Sequence, residues 1–165
     1  MKIREFLFAP AITLMFAVHT PLVAADSDCV FDPAVFEKPP VLVADTVSVS
    51  DWNETELKAQ GVFIDGGVFS VRYWACNHYG ARAVMLVDEP PATNPSELHK
   101  FFLRLGSLIP ESEAGEIDKL FKSDTEPFGE GQGRVDIPVD GYSEFYLGWS
   151  SLPQGLVLEV AFYLD

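Results

Sequence analysis

The most regular alternation of apolar and polar positions lies at the end of the chain. Leu156, Leu158, Val160, Phe162 and Leu164 fall on one side of an extended segment, the two-residue period of a strand with a buried face. The opposite side carries Val157, Glu159, Ala161 and Tyr163, so this strand is expected to be central or covered. A second strong signal runs from Val62 to Val87. Val62–Ile64 and Val68–Cys76 flank Asp65-Gly66-Gly67, and adjacent glycines supply the positive φ angles of a tight hairpin. Phe69, Val71, Tyr73 and Ala75 share one face of the longer strand, and Ser70, Arg72, Trp74 and Cys76 the other. A turn at Asn77–Gly80 then leads into a partner strand, Ala81–Val87.

The period changes to that of a helix near residue 95. Asn94 is placed to cap, Pro95 to occupy the first helical position and Glu97 to complete a capping box. Leu98, Phe101, Phe102 and Leu105 recur at i, i+3, i+4 and i+7, and Gly106 is expected to close the helix. Ile117, Leu120 and Phe121 give a second helix, about Ser112–Lys122, one apolar side. Weaker alternation predicts a strand over Val41–Ser50, and another is preferred around Trp52–Glu56, where Asp51 and Glu54 also fit a helical turn. Gly129, Gly131 and Gly133 mark a loop over Asp124–Arg134. Val135–Val139, Asp140-Gly141 and Tyr142–Leu147 read as a further hairpin. Strands, then two helices, then strands define an α+β domain. The expected sheet is mostly antiparallel, of about six or seven strands, with two consecutive helices (about 95–122) packed on one face.

The first residues add a compartment. Lys2 and Arg4 precede an apolar run, Phe6–Val18, and the small residues Val23, Ala24 and Ala25 follow, the order of a cleaved secretory signal peptide. Residues 1–25 are therefore expected to be removed, leaving 26–165 as a single secreted or periplasmic domain. The run is broken by Pro10 and is shorter than a membrane span requires. Cys29 and Cys76 are the only two cysteines. In an oxidising compartment they are expected to pair, and the loop closed would stabilise the fold by about 4 kcal/mol in the chain-entropy picture.

The formal charge of −14 repels a phosphate backbone, so nucleic-acid binding is not expected, and it favours encounter with a basic protein partner. Candidate chemistry is sparse. Cys76 and His78 stand two apart, but pairing with Cys29 leaves no thiolate to act as a nucleophile. His78 and His99 lie on different elements and no Cys-x-x-Cys occurs, so neither a metal nor another cofactor is expected. The glycine-rich segment ending at Gly133 lacks the Gly-Lys-Ser/Thr of a phosphate loop, and Ser150 and Ser151 do not sit in a Gly-x-Ser-x-Gly elbow. Small carboxylate-dependent hydrolysis and an envelope ligand-binding role stand as the alternatives to protein binding. Trp74, His78, Tyr79, Tyr146 and Trp149 are aromatics near expected turns with acids close by, the composition of a recognition surface.

Val71–Val87, VRYWACNHYGARAVMLV, resembles the tyrosine, cysteine, glycine and following strand of the periplasmic inhibitors of chicken-type lysozyme. The resemblance covers this hairpin. The Ser-Gly-x-x-Tyr element of those inhibitors is missing, and the two helices depart from their all-β fold. What the resemblance implies is a role: a small, acidic, disulfide-pinned protein acting as an inhibitor, or an immunity-type protein, against a basic cell-wall-active hydrolase.

Overall fold

The computed structural model describes residues 30–88, 95–123 and 131–165. Residues 1–29, with the expected signal peptide and Cys29, lie outside them, as do Asn94 and Gly129.

Seven strands form one antiparallel sheet: β1 (Val47–Asn53), β2 (Lys58–Phe63), β3 (Val68–Trp74), β4 (Tyr79–Val87), β5 (Gln132–Asp136), β6 (Glu144–Leu152) and β7 (Gly155–Leu164), in the order β1-β2-β3-β4-β7-β6-β5. The α+β reading holds. The strand before the helices, β4, lies beside the last strand, β7, in register from Tyr79↔Leu164 to Val87↔Leu156. The strand that precedes the helices and the core stripe of the last strand thus meet at the centre of the sheet. Ahead of β1 come a 3-10 turn at Pro33–Phe36 and the short helix α1 (Pro40–Val43); α2 (Pro95–Gly106) and α3 (Glu111–Lys122) connect β4 to β5.

One face of the sheet carries the core. Phe63, Val71, Tyr73, Ala83, Met85, Leu147, Leu158, Val160 and Phe162 are buried there against Leu98, Phe102, Leu105 and Ile117 of the helices. Helix α2 lies against β7 and β4, and α3 packs on α2. Tyr73 ties three layers together. Its hydroxyl donates to the carbonyl of Leu108 at 2.5 Å and accepts the amide of Val41 at 3.4 Å.

Several local expectations are corrected. The strand expected over Val41–Ser50 begins only at Val47, because Pro39 and Pro40 start a helical turn. The Trp52–Glu56 segment divides: β1 continues to Asn53, and a turn follows in which the Asn53 side chain accepts the Glu56 amide. The Asp65-Gly66-Gly67 hairpin forms as expected, with φ of +97° and +91° at the glycines. At the next turn the left-handed residue is not in Asn77–Gly80 but is Cys76, at φ +112°. Gly80 lies within β4, where a Cβ would strike the carbonyl of Phe162 and the indole of Trp74. Gly133 is likewise in a strand and not a loop, because Trp149 lies across it. β5 therefore starts earlier than the expected Val135 and ends at Asp136.

Candidate functional site

The helices and the 30–46 segment occupy the core face, so no described element covers the other face of the sheet. Cross-strand register orders that face into rows. One end is apolar: Val62, Val68, Leu86 and Val157 stand opposite one another on β2, β3, β4 and β7, with Val68 half exposed. The next row is Gln60, Ser70, Val84, Glu159, Gly148 and Arg134. A third places Lys58, Arg72 and Arg82 side by side, followed by Ala161 and Tyr146. The last is Trp74, Gly80, Tyr163 and Glu144.

Charges on the β4-β7-β6-β5 half of this face are matched. Arg82 grips Glu159 with two hydrogen bonds, at 2.8 and 3.1 Å, and Tyr146 donates to the same carboxylate at 2.5 Å. The Arg134 guanidinium lies 3.7 Å over the Tyr146 ring and pairs with Asp136 and Glu144. Burial pushes the Glu159 carboxyl up, but the hydrogen bonds from Arg82 and Tyr146 and the field of the two arginines outweigh it, so its pKa lies below the ordinary value. Burial, and then the bond to Glu159, push the Tyr146 hydroxyl up to about 12. On the β2-β3 half, Lys58 and Arg72 have no carboxylate within ion-pair distance among the described residues.

At the end of the face Trp74 and Tyr163 sit 6.0 Å apart, tilted at 48°, with Gly80 between them. His78 stacks on Tyr163 at 5.0 Å and places Nδ1 3.1 Å from the Asp165 carboxylate. These rings, with Ala75, Cys76 and Asn77, line a shallow cleft of about 380 Å³. Tyr163 also borders a broader cleft of about 770 Å³ that includes Arg134, Tyr142 and Glu144.

Of the five aromatics singled out from the sequence, the structure brings Trp74 and His78 together and puts Tyr146 on the same face. It separates the other two. Tyr79 lies on the core side against Phe31, Phe36 and Phe162, and its hydroxyl is pushed up to about 12 by burial and then by Glu113. Trp149 is 7% exposed and belongs to the core. Its indole covers Gly133, so it is a packing residue and not an exposed contact. The reading from sequence missed Tyr163, which sits on the outward side of the last strand and so carried its own signal in the alternation. It also missed Glu113, a buried acid that accepts from the Tyr142 and Ser112 hydroxyls and joins α3 to the β5–β6 connection.

Among the described residues Glu159 and Asp118 are held below the ordinary carboxylate range, Asp118 chiefly by its hydrogen bond from Lys122. Among the described residues no three His, Cys, Asp or Glu side chains converge as a metal site would need, and no helix is long and apolar enough to cross a membrane. The chain matches no protein-family model, no curated protein and no solved structure.

Proposed function

We propose that this is a secreted or periplasmic binding protein without chemistry of its own, which recognises its ligand on the uncovered face of the sheet. The observation that carries the reading is the Trp74–Tyr163–His78 group at the end of that face, beside Arg72, which makes no ion pair with a carboxylate of the described residues. Amphipathic rings next to unmatched charge are the composition of recognition hot spots. The leader pattern of residues 1–25 supports export. A disulfide between Cys29 and Cys76 fits the path of the chain, since the Phe31 amide donates to the carbonyl of Cys76 at 2.7 Å.

The second reading is a basic protein partner, such as an inhibited cell-wall hydrolase. It is favoured by Asp51 on the edge strand β1 and by Glu54 and Glu56 in the turn that follows, none of which makes an ion pair among the described residues, although Lys58 borders the cleft that Asp51 and Glu56 line. Capture from envelope extract separates the two. Retention of one binder by the wild type and its loss with Tyr163→Ala supports the uncovered face. Loss with Asp51→Asn/Glu54→Gln/Glu56→Gln and not with Tyr163→Ala transfers recognition to the acidic edge.

A further inference from the structure

We propose that the uncovered sheet face binds a short acidic oligosaccharide, its sugar ring on Trp74 and Tyr163 and its carboxylate at Lys58 and Arg72. The inference rests on the reading of this face as the recognition surface.

Lys58 and Arg72 are direct cross-strand partners, and like charges placed opposite each other in an antiparallel pair destabilise it. Arg72 in turn faces Arg82, whose charge is already engaged by Glu159. The chain has 25 acids against 11 bases, so carboxylates to neutralise the pair are plentiful, yet none among the described residues reaches either cation. An anionic ligand would remove the repulsion and add charge-assisted hydrogen bonds.

The second observation is the aromatic row. Trp74 stands two residues along β3 from Arg72, about 7 Å, a separation that one sugar ring and its carboxylate can bridge. The apolar C–H face of a pyranose lies well on an aromatic ring. Gly80, with no Cβ, lets the Trp74 indole lie down on β4 next to Tyr163, and the two rings flank the cleft near Asn77 and His78. Gln60 and Ser70, in the row beyond the cations, offer groups to sugar hydroxyls.

Single-stranded nucleic acid also combines stacking with cations, but it carries a negative charge at every unit. Glu144 stands opposite Tyr163 and Asp165 follows on the same strand end, so the aromatic end of the face repels continuous charge and suits neutral hydroxyls. The ligand that fits has its charge at one end. Asp51 and Glu56 line a small cleft beside Lys58, so Arg72 carries the larger share of the anion contact, while exposed acids beyond about 8 Å are largely screened at physiological ionic strength.

The test is titration of the full secreted chain with glucuronosyl-cellobiose, which carries one carboxylate on its terminal sugar, with neutral cellotriose and with a thymidine trinucleotide, followed by tryptophan fluorescence and calorimetry. Saturable binding of glucuronosyl-cellobiose is expected, roughly tenfold weaker in high salt. Arg72→Gln should weaken it roughly tenfold, the loss of one charge-assisted contact, and Trp74→Leu should abolish it. Arg72 is exposed, so an unchanged melting temperature in Arg72→Gln keeps the result independent of folding. Absence of saturable binding, an equal response to cellotriose, tighter binding of the trinucleotide, or full affinity in Arg72→Gln would overturn the proposal. If Tyr163→Ala still abolishes capture of an envelope binder while glucuronosyl-cellobiose fails, this inference falls and the assignment of the face stands.

Discussion

Glu159 concentrates the residue-scale energetics of the exposed face, since one carboxylate accepts from both Arg82 and Tyr146. Its folded pKa lies below the ordinary 4.5, so its contribution is fully present above the unfolded pKa and is lost as pH falls through the folded one. Glu159→Gln is therefore expected to cost about 1 kcal/mol at pH 7, the lower part of the range for charged hydrogen bonds because Arg82 is more than half exposed. The difference from wild type should shrink steadily below pH 4.5, as read by urea unfolding across pH. A gap independent of pH would mean that the carboxylate's charge is not what matters.

At the scale of elements, two glycines on paired strands are expected to behave oppositely. A Cβ at Gly133 would run into the buried indole of Trp149, whereas one at Gly148 would make only ordinary contact with Glu159, at 3.7 Å. Gly133→Ala should cost about 1–3 kcal/mol through overpacking. Gly148→Ala should be neutral or stabilising by up to about 1 kcal/mol, because it restricts the unfolded chain. Thermal melts of the two variants check the sign. The same pair explains what could be read from sequence. The central strands, both main helices and the Asp65-Gly66-Gly67 hairpin were legible because their periodicity is local. Gly133 and Gly80 look like turn residues, and only their cross-strand neighbours, a tryptophan in each case, reveal that they make room for a ring. Trp149 was misplaced for the matching reason. An indole near a polar loop has the same local sequence whether it faces solvent or covers a glycine on the next strand. Trp74 and His78 lie outward, as the strand alternation and the following turn suggested, while the outward position of Tyr163 was overlooked in a strand whose core stripe dominated the pattern.

For the whole molecule, the proposed Cys29–Cys76 pair would fasten the segment before the first strand to the end of β3. Reduction is expected to lower stability by about 4 kcal/mol, and Cys76→Ser should reproduce the loss without reductant. Identical unfolding curves with and without reductant would remove the pair from the account. Overall architecture was legible because the helices fall between two sets of strands. The distribution of charge over the faces was not, since it depends on register, and net charge alone pointed only to a basic partner.

The apolar row of Val62, Val68, Leu86 and Val157 has a consequence for colloidal behaviour. Two such flat faces laid together would exclude water from both, and mutual repulsion between acidic molecules keeps them apart at neutral pH. As acid neutralises the carboxylates, that barrier falls while the valines and leucine stay exposed. Turbidity in mildly acidic solution with an unchanged circular-dichroism spectrum is the expected sign of sheet stacking upon sheet by folded molecules, and loss of the strand signal before turbidity would reject it.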